Sequence, residues 1–187
     1  MKHETAIQNP TDKIQTAEEI KSEIPPFVIA EYTALRAEIL QRAVFEHQLI
    51  ALTLILVGTL LTIGLQPNSP AAILLIYPIL VTFIAAEWSF NNMRIFQMGI
   101  YIRDELEKKW GGLGWEQFFR SPEGQTRLSK LKITGVFSAR GIFVLTQLVT
   151  IGIALMLWSK FTTVEIVLLV FDGISILTTF ALVQLSE

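Results

Sequence analysis

Four long apolar runs decide what this chain can fold into. They cover residues 49–65, 71–86, 141–158 and 166–183, and one acidic residue, Asp172, interrupts the last run. A helix rises about 1.5 Å per residue and the hydrocarbon core of a bilayer is about 30 Å thick, so about 20 residues cross it. Each run reaches this length with its flanks. A water-soluble bundle would need a polar stripe along each helix, and the strongly apolar runs lack one.

The sequence therefore predicts an all-α, multi-pass integral membrane protein with four transmembrane helices and long cytoplasmic helical extensions. Only 17% of the residues are charged, whereas about 25% is usual in soluble domains. The predicted spans lie at about 48–66, 71–89, 139–158 and 163–184.

The distribution of Lys and Arg orients these spans, because cytoplasmic loops are enriched in both residues. Fourteen of the 15 basic residues lie before the first span, between the second and third spans, or at the border of the third, and Lys160 lies in an external turn. Both termini and the central segment are therefore expected to face the cytoplasm, and the spans to contact the lipid bilayer.

The polar segments divide the chain into a tail and a membrane domain. Residues 1–25 are polar and lack periodicity, so we expect a disordered cytoplasmic tail that ends at a pair of prolines. Residues 26–187 form the predicted membrane domain, in which 90–135 is a cytoplasmic helical segment. No helix breaker separates Phe27 from the first span, which predicts one continuous helix of about 40 residues.

The central segment is expected to extend the second span as far as Gly111 and Gly112. Ser121, followed by a proline, predicts the start of another helix that ends near residue 133. Between these points aromatic residues cluster, and we expect them to pack on the cytoplasmic helices, with the lipid headgroup layer as the alternative. The cluster comprises Trp110, Trp115, Phe118 and Phe119.

Asp172 is the most informative residue, because a carboxylate at the centre of a span costs about 2.5 to 3.5 kcal/mol on insertion scales. With the second external turn centred near residue 160, Asp172 is level with Val149. Two polar residues of the third span lie within one turn of that level, and two more follow Asp172 at helical spacing. The candidate intramembrane site is thus Asp172 with Gln147, Thr150, Ser175 and Thr179.

Two roles fit this site. In the first, Asp172 binds a proton or a cation in an ion path. In the second, Asp172 is a hydrogen-bonded link that holds the third and fourth helices, or two protomers, together. We favour the link, because the spans contain no second buried ionisable residue that would relay a proton.

A second candidate pair lies at the predicted inner membrane boundary. His47 and Glu87 fall level with each other when the first hairpin folds near Asn68. A protonated His47 beside Glu87 would sense pH. We favour the simpler interpretation, in which both residues mark the edge of the hydrocarbon.

Pro78 should bend the second span and leave the Leu74 carbonyl, four residues earlier, without its helical donor. Tyr77 falls level with Thr59, so a structural hydrogen bond between them is expected.

Several classes of function are excluded. With no cysteine and two histidines, the chain has no thiolate chemistry, no disulfide and no His-rich metal centre. It lacks a nucleophile elbow, a phosphate-binding glycine loop and an HExxH motif, so we expect a non-enzymatic protein without a cofactor or bound metal. The net charge of -2 gives no electrostatic basis for binding nucleic acid.

Three motifs carry a resemblance to known proteins: Glu31-Tyr32-x-Ala34-Leu35-Arg36-x-Glu38-Ile39, Tyr101-Ile102-Arg103-Asp104-Glu105-Leu106 and Gly114-Trp115-Glu116. Over about residues 27–119 the chain resembles small bacterial four-span integral membrane proteins of unassigned function. The resemblance implies the bacterial cytoplasmic (inner) membrane. It implies no activity and transfers no functional residue.

Together these features favour an oligomeric scaffold or partner-docking protein, because the charged and aromatic residues are concentrated in the cytoplasmic parts. The expected partner is a second copy of the chain or a cytoplasmic protein. The alternative is a small ion channel, effector pore or transporter subunit that uses Asp172 in an ion or proton path.

Overall fold

The computed structural model describes residues 24–110, 114–119, 121, 139–158 and 161–185. Every regular element in these ranges is helical, which confirms the predicted all-α class. In chain order the elements are α1 (Pro26–Gly64), α2 (Ala72–Leu75), α3 (Tyr77–Tyr101), a π-helix (Ile102–Glu107), α4 (Lys108–Trp110), α5 (Trp115–Phe119), α6 (Ala139–Leu157) and α7 (Thr163–Leu185).

Three of the described helical stretches are long and apolar enough to cross a membrane: Pro26–Gly64, Ala72–Trp110 and Thr163–Gln184. This supports the membrane assignment. Helix α6 has 19 residues and a shorter apolar stretch, Gly141–Leu157. A fourth span at 139–158 therefore stays a prediction.

Helix α1 is continuous over 39 residues, which confirms the predicted long first helix. At about 1.5 Å per residue it is about 60 Å long. Pro26 occupies its first position, where the missing N–H is no loss because the first helical N–H groups have no intrahelical acceptor. No proline or glycine follows before Gly58, so no weak helix former interrupts this part of the backbone.

Several predicted features lie outside the described residues. They are the tail up to residue 23, the helix stop at Gly111 and Gly112, the helix after Ser121, and the external turn at Lys160.

The chain divides into two compact units, which are described separately. The small unit takes its described residues from 24–39 and from 97–121, and the large unit takes them from 40–96 and from 139–185.

The small unit has an apolar core between the first turns of α1 and the π-helix. Its buried residues are Val28, Ile102 and Leu106, with Ile24, Tyr32, Leu35 and Ile39 partly buried around them. The α1 members recur at intervals of four, three and four residues, which places them on one helix face.

Glu107 ties α5 to the π-helix. Its buried carboxylate accepts the backbone N–H groups of Glu116 at 3.1 Å and Gln117 at 3.0 Å. Arg36 of α1 donates to the Glu116 carboxylate at 2.9 Å. Charge-assisted bonds of this kind are stronger than neutral ones, so α1, the π-helix and α5 are joined by two acidic side chains.

Asp104, which lies outside the predicted spans, carries ion pairs at the surface of the small unit. Arg103 contacts its carboxylate at 2.7 Å and Lys108 at 2.6 Å. Hydrogen bonds from these two cations hold the pKa of the Asp104 carboxyl well below its usual range. Surface pairs of this type are screened by salt and contribute little to stability.

The described members of the aromatic cluster are partly exposed. Trp115 is 58% exposed, Phe118 50% and Trp110 37%, and the side chain of Phe119 lies outside the described residues. Helix α5 turns the ion-paired Glu116 inward, and the choice between packing on the cytoplasmic helices and lying in the headgroup layer stays a prediction. Trp115 and Phe118, three residues apart on α5, form what we call the aromatic surface of the small unit.

Two apolar clusters fill the large unit. The buried members of the first come from α1, α3 and α6: Leu49, Tyr77, Val81, Ala85, Trp88 and Phe143. The second joins the chain around α2 to α6 and α7: Ala71, Leu74, Leu75 and Ala154, with Leu168 and Leu169 partly buried against them. The two clusters together pack α6 and α7 against the α2 to α3 region.

The end of α6 and the start of α7 lie beside the first predicted external turn. The Trp158 indole N–H at the end of α6 donates to the Ser69 carbonyl of the first turn at 3.2 Å. Glu165 begins α7 with a capping box, in which its carboxylate accepts the Thr162 N–H at 2.8 Å. The same carboxylate accepts the Ala72 N–H at 3.3 Å, so one acidic residue starts two helices.

A helix break lies two residues before Pro78, where the sequence predicted a bend. Helix α2 ends at Leu75, and Ile76 separates it from α3. Because proline has no N–H, the Leu74 carbonyl lacks the donor that an unbroken helix would supply.

We predict that Gly64→Ala destabilises the large unit. A Cβ at this position would lie 2.5 Å from Cδ2 of Leu74, whose side chain is fully buried. Overpacking of this kind typically costs about 1–3 kcal/mol. Gly58→Ala is the matched control in the same helix, since its Cβ would meet nothing within 4 Å. Thermal unfolding in detergent, followed by circular dichroism, should show a lower midpoint for Gly64→Ala alone; equal midpoints would contradict the close packing.

Candidate functional site

The inner face of α7 carries a run of polar side chains. Its buried residues are Glu165, Asp172, Ser175, Thr179 and Val183. Their intervals of seven, three, four and four residues define one helix face. The three α7 residues of the predicted site therefore lie on the face that packs inside the large unit.

Three hydrogen bonds align this face with α2 and α3. The Ala72 N–H donates to the Glu165 carboxylate at 3.3 Å, the Thr82 hydroxyl to the Ser175 carbonyl at 3.3 Å, and the Ser89 hydroxyl to the Leu182 carbonyl at 2.7 Å. In each pair the residue numbers differ by 93. A constant difference means that α7 runs parallel to α2 and α3 and keeps the same register with them on both sides of the break at Ile76. We call these bonds the parallel ladder.

Thr179 joins three helices. Its hydroxyl accepts a hydrogen bond from Nε2 of Gln147 on α6 at 2.9 Å and lies 3.1 Å from the Thr82 hydroxyl of α3. Interhelical hydrogen bonds in membranes contribute about 0.6 kcal/mol on average. The hydrogen bond between the third and fourth predicted spans, a role that the sequence favoured for Asp172, is made by Gln147 and Thr179.

Thr82 was not singled out from the sequence, although a signal was present. Thr82 and Ser89 are seven residues apart in a stretch that is apolar apart from Glu87, which places both hydroxyls on one helix face. The same spacing relates Asp172 to Thr179.

Thr150 is buried but bonded within its own helix. Its hydroxyl donates to the Thr146 carbonyl at 3.2 Å and to the Gln147 carbonyl at 3.0 Å. The structure therefore gathers Gln147, Ser175 and Thr179 around Thr82, and it gives Thr150 a local role.

Asp172 differs from its polar neighbours. Its side chain is 1% exposed, and within the described residues neither carboxylate oxygen has a hydrogen-bond partner. Burying a carboxylate without a counter-charge or hydrogen bonds is so unfavourable that such a group instead takes up a proton or binds a cation. Asp172 is thus the chemically unsatisfied group of the site.

Helix α6 offers Asp172 no polar group at its level. The bond from Gln147 to Thr179 sets the register of the antiparallel helices α6 and α7. A step of seven residues toward the C-terminus of α6 and seven toward the N-terminus of α7 pairs Ala154 with Asp172. Ala154 is fully buried. The sequence pairs Asp172 with Val149 when the turn between the two helices is centred near residue 160. In the structure, side-chain contacts between α6 and α7 set a different register.

One more buried polar atom, Oε1 of Gln147, lacks a partner among the described residues. The expected bond between Tyr77 and Thr59 is not formed, because Thr59 is exposed and donates to the Ile55 carbonyl at 2.8 Å. The large unit therefore contains unused hydrogen-bonding capacity on α6 and α7.

His47 and Glu87 lie near one level but on exposed faces. Asn91 of α3 donates to the Arg42 carbonyl of α1 at 3.0 Å. Five residues later on α1 and five earlier on α3, His47 is level with residue 86, next to Glu87. Both side chains are exposed, and the described contacts include no bond between them. A pH-sensing pair thus gains no support, and the boundary interpretation stays a prediction.

Within the described ranges, no group of three or more His, Asp or Glu residues could hold a metal ion. No family model, curated protein or solved structure matches the chain. Any functional inference therefore rests on the geometry of the site.

We predict that Thr179→Val lowers stability more than Asp172→Asn does. The valine would leave the buried Gln147 amide without its acceptor and lower the free energy of unfolding by about 1–2 kcal/mol. Thr178→Val makes the same change at the exposed neighbouring position and should have no effect. Thermal unfolding in detergent measures all three, and a larger loss in Asp172→Asn than in Thr179→Val would restore Asp172 as the structural link.

Proposed function

We propose that this protein binds a proton or a monovalent cation at Asp172 inside a four-span helical bundle, and that the site belongs to an ion or proton path. The observation that carries the proposal is the buried carboxyl group of Asp172, which has no partner among the described residues. An ionisable group at membrane depth is by default associated with ion or proton movement.

The competing role for Asp172, a structural link between helices, is filled by other side chains. Neutral hydroxyl and amide groups of Thr82, Gln147 and Thr179 already connect the three helices. A link between two protomers through Asp172 is also disfavoured, since only 1% of the residue is accessible.

The surroundings of the proposed site follow from the sequence. We propose four spans, cytoplasmic termini and, from the resemblance to small bacterial membrane proteins, a location in the bacterial inner membrane. The protein would act without a cofactor and without catalysing a chemical reaction. Asp172 would exchange its bound proton or cation with water through movement of the helices around it.

We predict that Asp172→Asn abolishes ion flux. Purified protein in liposomes, under an imposed proton or potassium gradient, should show flux that falls to the level of empty liposomes in this variant, because the amide cannot ionise. Glu87→Gln is the matched control: it neutralises an exposed carboxylate on α3 and should preserve the flux.

Elution of all variants as the same oligomer is the control for folding. Equal flux in Asp172→Asn and in the unmodified protein would refute an ion path through Asp172. The absence of flux in every protein would do the same.

A second function is supported by the aromatic surface. Trp115 and Phe118 are at least half exposed, and exposed apolar patches on proteins commonly mark interaction sites. We propose that this surface joins two copies of the chain in a homo-oligomer. This retains the scaffold function that the sequence favoured.

We predict that Trp115→Ala lowers the mass of the detergent-solubilised particle by splitting the oligomer, because Trp side chains contribute strongly at interfaces. Gln117→Ala, an exposed change on the same helix, should leave the mass unchanged. Light scattering coupled to size exclusion measures the mass. An unchanged mass in Trp115→Ala would exclude this surface as the contact between copies.

A further inference from the structure

The surroundings of Asp172 suit a proton rather than a metal cation. A dehydrated alkali cation needs a shell of oxygen ligands to replace its water. Asp172 is level with Ala154 on α6 and, by the constant difference of 93, with Ile79 on α3. Neither of these side chains contains an oxygen atom, and the carboxyl has no hydrogen-bond partner among the described residues. A proton needs only the carboxyl itself, so the site fits a proton.

Polar side chains from three helices continue from Asp172 toward the C-terminal end of α7. The Thr82 hydroxyl donates to the Ser175 carbonyl at 3.3 Å, and Nε2 of Gln147 donates to the Thr179 hydroxyl at 2.9 Å. These groups are neutral, and each can bond to water in place of its present partner. We call this row the hydroxyl seam, and it comprises Ser175, Thr82, Thr150, Thr179, Gln147 and Ser89.

The interior on the N-terminal side of Asp172 is apolar. Leu168, one turn before Asp172, is level with the fully buried Leu75 by the same difference of 93. The side chains that pack together here come from α2, α6, α7 and the residues beside them. We call this group the apolar plug, and it comprises Ala71, Leu74, Leu75, Trp158, Leu168 and Leu169.

Two hydrogen bonds fasten the helices at the plug. The Trp158 indole N–H donates to the Ser69 carbonyl at 3.2 Å, and the Ala72 N–H donates to the Glu165 carboxylate at 3.3 Å. Opening the plug would break both bonds and expose apolar side chains to water, which is unfavourable. Opening the seam exposes groups that hydrogen-bond to water. The two sides of Asp172 therefore differ in how easily water reaches the carboxyl.

The seam also contains a binding point for water. Oε1 of Gln147 is buried and has no partner among the described residues. A buried polar atom without a protein partner is commonly bonded to an internal water molecule. Since Nε2 of the same amide is bonded to Thr179, water at Oε1 would lie within the seam.

We propose that Asp172 exchanges its proton through the hydroxyl seam, with water on the side where α7 ends, while the apolar plug closes the opposite side. The carboxylate takes up a hydrated proton by forming one O–H bond, and the reverse step returns the proton to water. This inference rests on the proposed function; it specifies the proton as the ligand and the side on which it is exchanged. With cytoplasmic termini, that side is the cytoplasm.

Few ionisable groups face this carboxyl. On α7 the nearest is Glu165, which accepts backbone N–H groups at the start of the helix. On α3 the nearest is Tyr77, and Glu87 is exposed. Residues 48–64 of α1 and 141–157 of α6 include no ionisable side chain. Proton uptake in the described core is therefore assigned to Asp172 alone.

Thiol labelling of the full chain tests the route, because the chain has no cysteine. Ser175→Cys and Thr150→Cys place a thiol in the seam, and Leu168→Cys places one in the plug. Gln66→Cys and Gln184→Cys, both at exposed positions, mark the two sides of the membrane. A membrane-impermeant cationic thiosulfonate is added to one side of sealed membrane vesicles at a time, and the remaining free thiol is counted.

The seam thiols should be lost only when the reagent is on the side of the Gln184 marker, and the Leu168→Cys thiol should persist from both sides. Seam thiols that both resist the reagent while the markers react, or that react from the side of the Gln66 marker, would overturn the route. Reaction of Leu168→Cys from the side of the Gln66 marker would overturn the plug.

The flux assay separates this inference from the proposed function. Labelling that contradicts the route, with flux still lost in Asp172→Asn, would overturn the seam and keep the ion path. Potassium flux in the absence of a proton gradient would overturn the proton as the ligand. Flux that survives Asp172→Asn would refute the proposed function itself.

Discussion

The parallel ladder is the constraint on which the architecture of the large unit depends. In a lipid environment, helices gain little from excluding water, so specific hydrogen bonds and close packing must set their register. Ala72, Thr82 and Ser89 each meet a residue of α7 that lies 93 positions later. Because the first and second of these contacts lie on opposite sides of the break at Ile76, α7 holds the two helical pieces in line. The break is tolerated because the neighbouring helix spans it.

The polar groups of the large unit fall into two classes with different consequences. Hydroxyl and amide groups are neutral and bond in pairs, so Thr82, Thr179 and Gln147 connect helices without a charge in an apolar interior. Asp172 belongs to the second class, since it is buried among these groups yet bonded to none of the described residues. A protein that needed only a stable bundle would gain from an apolar side chain there. This is the reason why we propose a binding role for Asp172 rather than a stabilising one.

The small unit differs from the large unit in the kind of side chain that connects its elements. It is held by charged side chains that are paired across elements, with Glu107 capping α5 and Arg36 bonded to Glu116. Such pairs are suited to an aqueous environment, where the outer parts of the side chains remain hydrated. With Glu116 directed inward, Trp115 and Phe118 are left outward. Electrostatic anchoring of α5 thus creates the exposed aromatic surface that the second proposed function uses.

The sequence by itself determined the helical class, the continuous first helix, a backbone irregularity near Pro78 and the polar stripe on the last helix. Each of these follows from local properties: apolar run length, the absence of helix breakers before Gly58, the missing N–H of proline, and the period of a helix. The partners across helices could not be derived this way. Thr82, Glu107 and Ala154 gained their roles only from packing, because a shift of one helical turn changes every interhelical partner while leaving each helix unchanged. The same register leaves Asp172 without a polar partner on α6. Only the tertiary structure could show this, because it pairs Asp172 with Ala154.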